Sequence, residues 1–147
     1  MPGSWSPSNL PFLTEDNHSI ESPRKNRYNC LSWAAGSKRK WWSPIKPYFW
    51  PPEAPREATI EAFVRAFETL GYAVCADGSL ELGIEKLAIF ARTDPAGNLV
   101  ATHAARQLPN GRWTSKLGPL EDIEHLRPED VNGPTYGAPL RYMSRVK

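Results

Sequence analysis

From residue 85 to residue 118 the chain alternates strand-like runs with turn chemistry: "EKLAIFART" (85–93), "DPAGN" (94–98), "LVATHAARQL" (99–108), "PNG" (109–111) and "RWTSKLG" (112–118). Such runs fold back on one another because Pro, Gly, Asn and Asp supply the backbone angles a reversal needs. The C-terminal half is therefore expected to be an antiparallel sheet. "PLRYMSRV" (139–146) alternates and is expected to be its last strand. Residues 119–138 lack this rhythm and are expected to be irregular, with a helical turn near "LEDIEHL".

The N-terminal half reads differently. "TIEAFVRAFETL" (59–70) places Ile60, Phe63, Val64, Phe67 and Leu70 on one helical stripe, with Thr59 as cap and Gly71 as stop. "YAVCA" (72–76) follows as a short strand closed by Asp77-Gly78. "WWSPIKPYFWPPEAP" (41–55) holds five prolines and five aromatics, which exclude a long helix or a central strand. A short helix is expected at about 30–35, with Asn29 as N-cap and Gly36 beyond its end. Residues 1–26, rich in Pro, Ser and Asn, read as an extended arm, and residues 27–147 as one domain. Helices first and an antiparallel sheet after them make the expected class α+β.

Composition narrows the function classes. A chain of 147 residues with net charge +2 carries no strongly basic face, so a nucleic-acid partner is not expected despite "SKRKWW" at 37–42. Two cysteines are too few for a disulfide scaffold. Cys30, Cys75, His103 and His125 show neither CxxC nor HxxxH spacing, so no metal or cofactor is expected. The N-terminus has no basic segment followed by an apolar stretch, and no apolar run approaches the ~20 residues of a membrane span. A cytoplasmic location is expected, or export by a specialised route without a cleavable signal.

Cys30 opens the short helix in "RYNCLSWAAG", where first-turn N–H groups and the helix dipole stabilise a thiolate. His103 lies early in a strand. A thiol nucleophile needs an imidazole to take its proton, and a third polar group to fix which ring nitrogen faces the sulfur. The third group depends on hairpin register. A three-residue Pro109–Asn110–Gly111 loop sets Ala105 opposite Ser115 and puts His103, Ala105 and Gln107 on one face with Ser115. A two-residue Asn110–Gly111 turn sets Ala105 opposite Lys116 and moves Ser115 to the other face. Asp122 is an alternative acceptor, and His125 would share its face if the segment is helical. Ser115, Asp122 and His125 all stay open, and Gln107 can add an amide hydrogen bond. Cys75, amid apolar neighbours, reads as core.

With these residues in place, the chain resembles the papain-like superfamily. The resemblance is to its compact bacterial amidase branches, the cysteine–histidine-dependent amidohydrolase/peptidase domains and the NlpC-type cell-wall endopeptidases. The matching order is a cysteine opening a helix ("NCLSWAAG"), then a β-meander whose histidine starts a strand ("THAARQL") before a turn and a strand with the third polar position ("RWTSKLG"). The chain is also similar to a bacterial family of unassigned activity in which "YNCxxWAxG", "HxARQLxxGxWxSKLG", "DIxH" and a late "YG" recur, here residues 28–36, 103–118, 122–125 and 136–137. The first resemblance implies a papain-like fold, N-terminal helices before an antiparallel meander, and an amide hydrolase with Cys30 as nucleophile and His103 as base. It implies a protein, peptide or amide substrate. No Gln precedes Cys30 to complete a papain-type oxyanion hole, and Asn26, Tyr28 and Asn29 are the candidates to replace it, while Asn29, Trp33, Trp41, Trp42, Gln107 and His125 would line the substrate cleft. The competing expectation is a non-catalytic interaction module on the same scaffold, using the proline/aromatic loop as its contact surface.

Overall fold

The computed structural model describes residues 10–14, 16–22, 42–44, 48–116 and 122–146. Its strands are β1 (His18–Ser22), β2 (Ala73–Cys75), β3 (Ile84–Thr93), β4 (Leu99–Gln107), β5 (Trp113–Lys116), β6 (Asp122–His125) and β7 (Ala138–Val146). They form one antiparallel sheet in the order β1-β6-β5-β4-β3-β7-β2. Among the described residues one α-helix, α1 (Ile60–Glu68), packs on it, and a 3-10 turn spans Pro128–Val131. Among the described residues no helix is long and apolar enough to cross a membrane.

This architecture overturns the expected papain-like α+β arrangement of N-terminal helices followed by a meander. The sheet is not confined to the C-terminal half, because β1 precedes α1 in the chain and pairs with β6 through His18↔His125 and Ile20↔Ile123. The expected helical turn in "LEDIEHL" is strand β6, held between β1 and β5. Pairing on both sides supplies backbone hydrogen bonds that four residues of weak local preference cannot supply alone. The helix expected at 30–35 lies outside the described residues.

The rest of the chain follows its local chemistry. Thr59 is extended and its hydroxyl accepts from the Ala62 N–H at 3.1 Å, which caps α1. Both long hairpins turn on Pro-x-Gly. In Asp94–Asn98 the reversal is closed by the Asp94 N–H donating to the Asn98 carbonyl at 2.8 Å, and Gly97 takes φ +88°. In Leu108–Arg112 the Leu108 N–H donates to the Arg112 carbonyl at 2.8 Å, and Gly111 takes φ +87°. Proline presets the first turn residue and glycine accepts the left-handed one, so each loop is three residues long.

Both faces of the central strand are covered. Leu87, Ile89 and Ala91 of β3 join Ala101, Ala104 and Met143 under the helix residues Phe63 and Phe67, with Trp42 and Trp50 from the proline-rich segment. Ala88 and Phe90 face the other way, onto Ala105, Trp113, Ile123, Val131, Leu10 and Leu13. Two-sided burial explains why "LAIFA" is apolar without alternation. The candidate site belongs to the second face.

Candidate functional site

β4 carries one residue more than β3 can match. Phe90 pairs with His103, but Ala91 pairs with Ala101, so Thr102 is a bulge. A bulge shifts side-chain parity along its strand. Ala101 and Ala104 both face the helix side, while His103 points into the opposite core. Thr102 is used on that same side: its hydroxyl donates to the Tyr136 carbonyl at 2.6 Å. The Tyr136 ring then lies on the His103 imidazole, centroids 4.0 Å apart and planes 16° apart. Phe90 meets the imidazole edge-on at 5.0 Å and 71°.

Tyr136 is held by the segment Gly133–Gly137, whose ends pair through two backbone hydrogen bonds of 3.1 and 2.7 Å. Gly137 sits at φ +75°, and a Cβ there would fall 2.0 Å from the Ala91 carbonyl oxygen. Only glycine lets this loop approach the sheet closely enough.

His103 opens a chain of three buried side chains. Its Nε2 lies 3.1 Å from Ser115 Oγ, Ser115 Oγ lies 2.8 Å from His125 Nε2, and His125 Nδ1 lies 2.7 Å from the Arg127 carbonyl oxygen. His103, Ser115 and His125 are completely buried. The three-residue hairpin loop brings the first two together, since Arg106↔Thr114 and Gln107↔Trp113 set Ala105 opposite Ser115. Trp113↔His125 and Ser115↔Ile123 on the next strand bring up the second imidazole.

The last acceptor dictates every proton in the chain. A carbonyl can only accept, so His125 Nδ1 carries hydrogen and its Nε2 is a lone pair. Ser115 therefore donates to His125 Nε2, and its oxygen accepts from His103 Nε2–H. That leaves His103 Nδ1 as a bare lone pair. It is buried, and it has no hydrogen-bond partner among the described residues.

Electrostatics keeps both rings neutral. Burial, with the second imidazole adding to it, pushes His103 down to about 3. Burial also pushes His125 down to about 4, although the Arg127 carbonyl and the Asp130 carboxylate favour its cation, against His18 and Arg112. Asp130 is itself buried, accepting from the Arg127 N–H at 2.9 Å and from the Arg127 guanidinium at 3.4 Å. A proton on His125 thus meets a counter-charge, whereas one on His103 meets two aromatic rings.

Residues 19–144 match a family model described as a domain of unknown function, DUF7689. The chain belongs to this family. No curated protein and no solved structure matches it.

In this DUF7689 domain, the sequence-expected residues fall into five groups. His103, Ser115 and His125 come together in series. Gln107 shares their strand face but lies four residues from His103, roughly 13 Å along the strand. Its amide N–H donates to the Gly78 carbonyl at 2.8 Å. Trp42 is buried on the helix side, stacked on Phe67 with centroids 6.4 Å apart, across the sheet from His103. Cys30, Asn29, Trp33, Trp41 and the Asp122 side chain lie outside what the structure describes. Cys75 is half-buried, and its thiol donates to the Asp77 carbonyl at 3.4 Å.

Sequence reasoning missed Thr102, Tyr136, Phe90, the Arg127 carbonyl and Asp130. The "YG" at 136–137 is the one trace of this set in the sequence. Its glycine explains the pair: Gly137 docks on Ala91 and thereby lays Tyr136 over the imidazole. Among the described residues no group of three or more His, Cys, Asp or Glu side chains is placed to hold a metal ion.

Proposed function

We propose that this DUF7689 domain is a small cysteine-dependent amide hydrolase in which Cys30 attacks and His103 Nδ1 manages the proton. The observation that carries this reading is the bare Nδ1 nitrogen, buried and unpartnered among the described residues, on a ring whose opposite nitrogen is fixed by Ser115. A buried acceptor without a donor costs about 1–3 kcal/mol. A thiol S–H is a donor that relieves this cost and presents its proton to the nitrogen that takes it.

The steps follow from that arrangement. The Cys30 proton passes to His103 Nδ1 as sulfur bonds to the amide carbonyl carbon. The C–N bond then breaks as Nδ1 returns the proton to the leaving amine, leaving an acyl-thioester. Water, losing a proton to the same nitrogen, attacks that carbonyl, and the thiolate leaves and is reprotonated. His103 is held too low to stand as an imidazolium at rest. Its work is general-base transfer rather than maintenance of a permanent ion pair.

Iodoacetamide labelling at pH 7, read by peptide mass spectrometry, tests the reading. Cys30 is expected to react at least tenfold faster than Cys75, and His103→Gln should remove that preference while leaving Cys75 unchanged. Equal, slow reaction of both cysteines in the unaltered protein overturns the proposal.

The complete burial of His103 favours a second reading, an interaction module whose core this chain of side chains locks. An open groove of about 490 Å³ between α1 and the β2/β7 edge, lined by Ile60, Val64, Arg65, Glu68, Val74 and Arg141, lies across the sheet from His103. Cys30→Ser separates the two readings: it abolishes amide hydrolysis but leaves an interaction module's effect intact.

A further inference from the structure

We propose that Ser115 is a proton-relay residue, delivering a proton accepted at His103 Nδ1 as positive charge on His125. The three side chains are joined by two hydrogen bonds of 3.1 and 2.8 Å, and both point the same way. A chain with one direction can be reversed by moving each proton one link. When Nδ1 of His103 gains hydrogen, its Nε2–H bond breaks and that hydrogen bonds to Ser115 Oγ. The original Ser115 O–H bond breaks in turn, and its hydrogen bonds to His125 Nε2. One proton has entered, His103 and Ser115 are neutral again, and His125 is an imidazolium with hydrogen on both nitrogens. The reversed chain is equally satisfied: His125 Nε2–H donates to Ser115 Oγ, and Ser115 donates to His103 Nε2.

The surroundings decide where the charge rests. The rings packed on His103 are Phe90 and Tyr136, and the second imidazole is the only charged partner that acts on it among the described residues. His125 donates from Nδ1 to the Arg127 carbonyl and feels the buried Asp130 carboxylate. His18, paired with it on β1, and Arg112, just ahead of β5, oppose the cation. Arg112 is engaged by Glu124 at 2.5 Å, and the ring nitrogen of His18 is hydrogen-bonded to the Thr14 carbonyl. Charge at the far end of the chain is thus solvated by dipoles and a carboxylate, and charge at the entry end is not. A serine in the middle suits this role, because a hydroxyl donates and accepts at once and can turn about its C–O bond.

The relay goes beyond the hydrolase reading, because any acid that meets His103 Nδ1 drives it. Its test is therefore independent of Cys30. In protein carrying 15N-labelled histidine, NMR at pH 7 should show His103 as the Nε2–H tautomer and His125 as the Nδ1–H tautomer. His125→Phe takes away the acceptor of Ser115. The hydroxyl then turns to donate to His103 Nε2, and His103 is expected to switch to the Nδ1–H tautomer. Ser115→Ala removes the link and should leave His103 as a mixture of both tautomers, with His125 unchanged. On acidification of the unaltered protein the first bound proton should appear as a doubly protonated His125 together with a switch of His103 to Nδ1–H. A His103 that keeps its Nε2 proton in both variants, or that becomes doubly protonated while His125 stays neutral, overturns the relay. Should His125→Phe not fold, Ser115→Ala and the acid titration decide.

Discussion

Tyr136 lies flat against His103, 4.0 Å between ring centres and 16° from parallel, with its backbone carbonyl accepting from Thr102 beside it. The ring closes one face of an imidazole that is otherwise enclosed by Phe90 and the sheet. Burial is the main cause of the low His103 pKa, so the tyrosine is a large part of what holds it down. Tyr136→Ala should admit water and raise the His103 pKa by about one unit or more. Tyr136→Phe, which keeps the ring, should leave it near its original value. A histidine NMR titration of the three proteins checks this, and identical titrations in all three would contradict it.

The two neutral imidazoles make the fold sensitive to acid. Both have native pKa values, about 3 and about 4, below the ~6.5 of an unfolded histidine. Above pH 6.5 neither state is charged, and stability does not depend on these rings. As pH falls from 6.5 towards 4 the unfolded chain takes up protons that the folded chain refuses. Stability should then fall by about 1.4 kcal/mol per pH unit for each histidine. The decline eases as pH passes below about 4 and then 3. Urea unfolding at pH 7, 6, 5 and 4.5 measures the slope, and His125→Phe should roughly halve its histidine component.

Gly137→Ala should be among the most damaging single-methyl changes in the molecule. The new Cβ would meet the Ala91 carbonyl oxygen at 2.0 Å, at a backbone angle of +75° that already disfavours alanine. A loss of about 3 kcal/mol is expected, of the order of the large core penalties. Gly97→Ala shares the positive angle but has open space around it, so it should cost only about 1 kcal/mol. Chemical denaturation of the pair isolates the steric part.

Lys86 is 1% exposed, yet its ammonium reaches Glu81 at 2.6 Å, Asp77 at 3.6 Å and the Asp77 carbonyl at 3.2 Å. Its stem lies in the sheet and its head ties the 77–81 loop. Removing one partner of a buried charge costs more than removing the charge itself. Asp77 and its carbonyl stay with the ammonium when the half-exposed Glu81 is removed, so Glu81→Ala should destabilise by only about 1 kcal/mol, and Lys86→Met by less than that. Thermal melts of both variants and the double variant test the ordering, and a larger loss for Lys86→Met would reverse it.

How much of this was legible in the sequence depended on whether local chemistry or long-range pairing did the deciding. The helix at Ile60–Glu68 was legible because its cap, apolar stripe and terminal glycine agree. The two hairpins were legible because Pro, Asn, Asp and Gly cluster at their turns, but the register of the second stood between a two- and a three-residue loop, and only the pairing of Leu108 with Arg112 selects the longer one. The meeting of His103 with Ser115 follows from that register. β6 was illegible: "DIEH" has one strongly apolar residue, and it becomes a strand only because β1 and β5 flank it. For the same reason Ser115 and His125, alternatives in the sequence, are hydrogen-bonded to each other in the fold. The helical spacing that would have paired Asp122 with His125 has no place in an extended strand. Thr102 left no local mark, because an extra residue in a strand is visible only against the partner that lacks it.

The unmatched residue at Thr102 divides β4 into two halves that count from different origins. An insertion at the tip of the Asp94–Asn98 turn can be taken up in a longer loop with both strands left in place, whereas gaining or losing one residue between Leu99 and His103 would exchange inside for outside over half a strand. Relatives of this chain should therefore vary freely in length at that turn and not at all along β4, so the spacing from the turn to the histidine is a ruler by which a working copy can be recognised.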